Sequence, residues 1–157
     1  MRRMFSRALV VLAITTVAAL GADNSIGTWK VNPAKSKYTP GPIPVKSLTA
    51  VREAAPGGVK VTTTGERSDG TAISTSYTAK YDGSATAVAG TGAPYDSIAI
   101  KQVNANTFTY EAKNTTGKYH ATGRMVISSD GKTMTSTSKG TDATSAAATL
   151  TLVYEKQ

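Results

Sequence analysis

Ile26-Gly27-Thr28-Trp29-Lys30 and, near the other end of the chain, Leu152-Val153-Tyr154-Glu155-Lys156-Gln157 are the segments whose reading decides the fold. Both are short and rich in β-branched and aromatic residues, the pattern of a half-buried strand. The chain between them offers strand after strand, so the first and last strands must either stand as exposed edges or pair with each other. Exposed edges invite association with other chains, and closure removes both. The expectation is a barrel.

Working inward from those ends, ten segments read as strands: 26 to 31, 46 to 54, 58 to 66, 71 to 81, 85 to 89, 96 to 103, 107 to 113, 117 to 128, 132 to 139 and 147 to 156. The punctuation between most of them is tight. Pro56-Gly57-Gly58, Ser68-Asp69-Gly70, Asp82-Gly83, Asn104-Ala105-Asn106, Asn114 to Gly117 and Ser129-Asp130-Gly131 carry the Gly, Asn and Asp residues that accept the positive φ of hairpin turns. Strands joined by such short loops must be antiparallel neighbours. The fold class is therefore all-β: a single up-and-down antiparallel barrel of about ten strands. No window shows a sustained helical period. The one long connection, Asn32 to Val45, holds Pro33, Pro40, Pro42 and Pro44, which exclude a helix interior, so it reads as an extended, polyproline-like flap rather than a helical lid.

Alternation sorts the faces. Ile73, Tyr77 and Tyr81 share one side of the fourth strand; Ile98 and Ile100, then Phe108, Tyr110 and Ala112, share the same side of the sixth and seventh. Tyr119, Ala121, Gly123, Met125 and Ile127 line one side of the eighth, and Leu150, Leu152 and Tyr154 one side of the last. A slip of one residue would turn each set outward. Small residues are frequent in these inward sets, and the chain has two Phe and one Trp. Side chains can just fill an eight-strand barrel, and a wider one lined by small residues is either flattened or hollow. A cavity is the favoured alternative.

Ahead of the first strand, Arg2, Arg3 and Arg7 precede an apolar run from Ala8 to Leu20, and Ala19-Leu20-Gly21 has the small-x-small form of a cleavage site. Residues 1–22 are thus expected to be a secretory signal peptide of bacterial type, and 23–157 the folded domain. The apolar run is well short of the roughly 20 residues that span a bilayer, so no stable membrane insertion is expected. The product would be exported, to the periplasm or beyond. There is no cysteine. Hydrophobic closure must therefore hold the domain together without disulfides. Removing the three signal arginines takes the formal charge of +8 to about +5, which favours solubility. Lysines and acids are interspersed, without the basic stripe and interleaved aromatics of a nucleic-acid surface. A monomer with no nucleic-acid partner is expected.

The two ends carry a resemblance. Gly27-Thr28-Trp29-Lys30 resembles the Gly-x-Trp opening strand of the calycins, the superfamily of lipocalins and fatty-acid-binding proteins. Thr151 to Gln157 is similar to the closing strand of the fatty-acid-binding proteins, and Arg124 to Thr135, with its Asp130-Gly131-Lys132 turn, to their penultimate hairpin. The chain looks closest to small exported bacterial lipocalin-like proteins. The resemblance implies that Trp29 plugs one barrel end beneath a cavity. It also implies a carboxylate site formed by an Arg-x-Tyr pair on the last strand. Tyr154 matches the tyrosine, but Leu152 stands at the arginine position, and alternation turns Arg124 to the face opposite Met125. An ionised carboxylate buried without a cation is costly, and the sequence supplies none beside Tyr154. A weaker likeness, over Trp29 to Ser36, is to a family of periplasmic polyisoprenoid-binding barrels.

Residues that could carry chemistry are sparse. His120 is the only histidine, and with no second His and no Cys it reads as an ordinary strand residue. Asp69, Asp82 and Asp130 each precede Gly in a turn, where an Asp side chain caps the backbone. No Gly-x-Ser-x-Gly elbow is present, and a hydroxyl without a base is inert. No catalytic residue, metal or cofactor is expected. Tyrosine joins an apolar ring to a polar tip, and tyrosines on the inward face either fill the barrel or meet an amphipathic ligand. The candidate cavity-lining residues are Tyr77, Tyr110, Tyr119, Met125, Leu152 and Tyr154. The leading expectation is a non-enzymatic carrier of a small apolar or amphipathic molecule; the alternative is a ligand-free structural or cell-surface barrel.

Overall fold

A computed structural model describes residues 22–157 of the chain. The expected signal segment, apart from Ala22, lies outside the described residues. Twelve strands form a single antiparallel sheet: β1 (Gly27–Val31), β2 (Lys37–Thr39), β3 (Val45–Ala55), β4 (Gly58–Arg67), β5 (Ala72–Lys80), β6 (Asp82–Ala87), β7 (Ala89–Thr91), β8 (Ser97–Asn104), β9 (Thr107–Lys113), β10 (His120–Ile127), β11 (Thr133–Thr141) and β12 (Ala147–Lys156). The first and last strands do meet, with Trp29 opposite Lys156 and Val31 opposite Tyr154. Around the rest of the wall, neighbours in sequence are neighbours in space, apart from the interruption at β2 and the partner switch between β6 and β7. That order is the signature of an up-and-down barrel.

Twelve strands replace the expected ten or so for two local reasons. Residues 82–91 are one returning segment cut at Val88: β6 pairs with β8, whereas β7 pairs with β5. By exchanging partners, this segment joins the two free edges and nearly closes the wall. Gly90 makes the exchange possible. Its φ is +104°, and a Cβ there would lie 2.0 Å from the Ser74 carbonyl oxygen, so no other residue fits this close approach.

The second addition is β2, a correction to the proline-rich flap. Its first half is not polyproline-like. Asn32 caps a 3-10 turn at Pro33–Lys35, its side chain accepting from the Lys35 amide. The chain then returns to pair with β12, Tyr38 opposite Leu150, on the edge that β1 occupies further along. Pro33 at the start of this turn has no amide to satisfy, which is why proline is tolerated there. From Pro40 to Pro44 the chain bridges from β2 to β3.

The inward sets follow the expected alternation. Ile73, Tyr81, Ile98, Ile100, Phe108, Ala112, Ala121, Met125, Ile127, Leu152 and Tyr154 are all buried, with Val59, Val61 and Met134 from strands whose faces were not sorted by sequence. Trp29, Phe108 and Ile100 are completely buried. At the end where β1 begins and β12 finishes, residues 22–25 fold across the barrel. The Gln102 side chain donates to the Ala22 carbonyl, the Asn24 amide to Ala105, and Ser25 is fully enclosed. Trp29 Nε1 donates to the Ser25 carbonyl at 2.8 Å, and Lys156 Nζ lies 5.2 Å from the centroid of its ring. This end of the barrel is closed.

Candidate functional site

Above that floor the barrel is hollow. A cavity of about 420 Å³ runs from the middle of the barrel to the opposite end, within the range of pockets that enclose small molecules. Its wall combines aliphatic residues such as Leu48, Val61 and Ile73 with tyrosines from four strands and two loops. Tyr77, Tyr110, Tyr119, Met125, Leu152 and Tyr154, the six candidates from sequence, all line it. Its mouth is framed by Tyr38 and Pro44 from the flap, by Gly92 to Tyr95 after β7, and by Asp142 to Thr144 after β11. The flap was the expected point of access; the loops after β7 and β11 carried no signal, because loop residues have no alternation to read.

Packing sets the tyrosine positions. Tyr110 stands opposite Gly123, where a Cβ would come within 2.4 Å of the Tyr110 ring. The ring therefore lies over bare backbone and reaches past β10 to β11, where its hydroxyl meets Ser136 Oγ at 2.8 Å. Tyr95 stacks on Tyr119, with centroids 6.1 Å apart, beside the mouth. Burial pushes the phenols of Tyr77, Tyr95, Tyr119 and Tyr154 upward, Tyr119 to about 12. Tyr81, beneath the cavity, is raised to about 12 by burial and by the hydrogen bond its hydroxyl donates to Asp23. The phenols stay neutral donors across the ordinary pH range.

A stability prediction follows from these shifts. An acid whose folded pKa exceeds its unfolded value, about 10 for tyrosine, binds its proton more tightly when folded. Its contribution is complete below pH 10 and is lost as the pH rises toward 12 and beyond. Thermal unfolding is expected to be insensitive to these groups up to about pH 10 and to fall steeply above it. Phenolate absorbance should lag behind that of free tyrosine and then appear together with unfolding. Complete phenolate formation near pH 10 in the folded protein would contradict the burial of these rings.

Arg52 is the residue the sequence reading missed. Alternation along β3 turns Leu48, Ala50 and Arg52 inward, and Arg52 is only 3% exposed although it carries a full charge. Its Nε donates to Ser25 Oγ at 3.0 Å, and Ser25 Oγ donates in turn to Asp23 Oδ1 at 2.6 Å. Nη1 approaches Met125 Sδ at 4.0 Å, and Nη2 is buried without any partner among the described residues. The Phe108 ring centroid lies 5.9 Å from the guanidinium carbon. Arg52 and Tyr77 line the same cavity, and the guanidinium lowers the Tyr77 phenol, though less than burial raises it. The expectation of an interior with no cation near Tyr154 is thus corrected: a cation is present, on β3 rather than on the last strand. Leu152 lines the cavity, and Arg124 lies on the outer face of β10.

The remaining candidates stay on the surface. His120 is exposed and pairs with Glu111 at 2.9 Å. Asp69 accepts from the Thr71 amide, Asp82 from the Ser84 hydroxyl and amide, and Asp130 from the Ser128 hydroxyl and the Lys132 amide, and these bonds hold all three carboxyls below the usual range. They are turn caps. Among the described residues no three His, Cys, Asp or Glu side chains converge as a metal site would need.

No family model matches the chain, and no curated protein does. Among solved structures, it is similar to a redesigned β-barrel, mFAP1, bound to DFHBI, at 15% identity and a TM-score of 0.46, over 85% of this chain and 95% of that one.

Proposed function

We propose that this protein is an exported barrel that binds or carries a small hydrophobic or amphipathic molecule in its interior and performs no reaction on it. The observation that carries this reading is the cavity of about 420 Å³. A barrel of purely structural use gains stability by filling its interior, since enclosed empty volume forfeits packing contacts. Apolar surface entering this space contributes about 25 cal/mol per Å², and the tyrosine tips offer polar contacts to one end of a guest. Charged residues on the wall are Arg52 in the depth, with Arg67, Lys139 and Asp142 toward the mouth. Asp142, the one carboxylate among the residues lining the cavity, is already occupied by the amides of Thr144 and Ala146. An acid and base poised for proton transfer are therefore not assembled there. Export rests on the charged and apolar pattern of residues 1–22.

A neutral, environment-sensitive apolar dye should brighten on binding with about one site per chain, and lipids should displace it. Native mass spectra of protein purified from its own host should retain a small-molecule adduct. Absence of both would favour the ligand-free, structural or cell-surface barrel.

A further inference from the structure

We infer that the cavity selects a single-chain amphiphile with an anionic head, and that Arg52 holds this head in the depth of the barrel while the tail extends toward the mouth. This rests on the reading of the cavity as a binding site and adds to it the chemistry of the guest.

The inference starts from an imbalance. A guanidinium has five N–H donors in a planar fork. In Arg52 the Nε donor is used by Ser25, Nη1 has only a thioether contact, and Nη2 has no partner. A buried charged group left short of partners is costly, and proteins retain one where something completes it. Arg52 belongs to none of the ion pairs among the described residues. Its Nε is linked by hydrogen bonds through the Ser25 hydroxyl to Asp23, and that chain engages the Nε side alone. What stays open is the terminal pair of nitrogens, the edge that receives two oxygens of a carboxylate or phosphate side by side.

The surroundings fit the same guest. Arg52 lines the cavity together with Tyr77 and Met125, and the wall from there to the mouth runs through Leu48, Ile73 and Leu150. Tyr77 lines the same cavity as Arg52, and burial keeps its phenol a neutral donor that can share the head. A polar head at the mouth would instead meet Arg67 and Lys139, which water already solvates and where an anion gains far less.

The test compares guests that differ only in the head: decanoate, decyl phosphate and decanol, by calorimetric titration of the wild-type protein and of Arg52→Met and Arg52→Lys. Wild type is expected to bind an anionic guest about 10-fold to 100-fold more tightly than decanol, the range of charge-assisted hydrogen bonds. The relative affinities of decanoate and decyl phosphate tell which anion the fork fits. Arg52→Met should abolish the preference for the anionic guests over decanol; Arg52→Lys should keep part of it. Should Arg52→Met fail to fold, the wild-type comparison and Arg52→Lys still decide. Equal binding of decanoate, decyl phosphate and decanol by wild type overturns the inference and leaves the cavity reading intact. Anion preference that survives in Arg52→Met also overturns it and moves the head to the mouth. If neither the neutral dye nor any of these guests binds, the cavity reading itself fails, and the inference with it.

Discussion

Trp29→Ala is expected to destabilise the barrel by about 3–5 kcal/mol, the range for truncating a large aromatic in a packed interior. Its indole is completely buried, anchors residues 22–25 through the bond from Nε1 to the Ser25 carbonyl, and lies under the Lys156 ammonium. Truncation would remove these contacts together and leave a void between the floor and β12. For a domain near this size the loss corresponds to a fall in melting temperature on the order of 10–20 °C. Thermal and chemical denaturation followed by circular dichroism measure it directly. A loss below about 1 kcal/mol would mean that the floor is held by something other than this indole. Ser25 supports Arg52, so Trp29→Ala should also loosen the deep end of the cavity.

Gly90→Val is expected to have the second large effect, through the backbone instead of a side chain. Gly90 combines a positive φ of 104° with a virtual Cβ 2.0 Å from the Ser74 carbonyl oxygen. Strain of the first kind costs about 1–3 kcal/mol, and the overlap comes in addition because the obstacle is backbone that cannot rotate aside. The β5–β7 ladder consists of three residue pairs, from Ser74 opposite Thr91 to Ser76 opposite Ala89, so it has little to lose before it separates. The variant should lose at least about 3 kcal/mol and, with β5 exposed as an edge, should associate at high concentration. Gly83→Ala is the control. That position has a φ of +83° but nothing within 4 Å of a virtual Cβ, so the cost should stay near 1–2 kcal/mol. Similar losses in both variants would show that φ, and not the approach of β7 to β5, governs this region.

Much of this architecture is legible in the chain. The turns at Asp69-Gly70, Asp82-Gly83 and Asp130-Gly131 have one physical use each, and the alternation in β8, β9, β10 and β12 has one consistent phase. Segments that could be read two ways were the ones missed. In β3, Leu48 and Ala50 favour one face while Val45 and Val51 favour the other, so apolar alternation does not decide which way Arg52 points. The pairing partner settles it, with Arg52 set between Gly27 of β1 and Val61 of β4. Residues 82–91 are mostly Ala, Gly, Ser and Thr and have too little contrast to show where one partner is exchanged for another. In β2, three residues beside prolines lack the length of a recognisable strand, and only the open edge of β12 recruits them. Tyr77, Tyr110, Tyr119 and Tyr154 were legible as inward residues and the flap as the way in, whereas the loops after β7 and β11 that complete the mouth were not.

The pairing of β1 with β12 also dictates an order of events during folding. Every hairpin from β3 onward can form from residues close in sequence, but β1 finds one of its two partners only among the final residues described. Bringing such distant segments together spends chain entropy before any contact repays it, and topologies with many non-local pairs fold slowly for that reason. As the chain emerges from the ribosome N-terminus first, the strand carrying Trp29 waits longest. Until β12 arrives, its edge stays open and the ring lacks its cover, so chain delivery sets the time at which the barrel shuts.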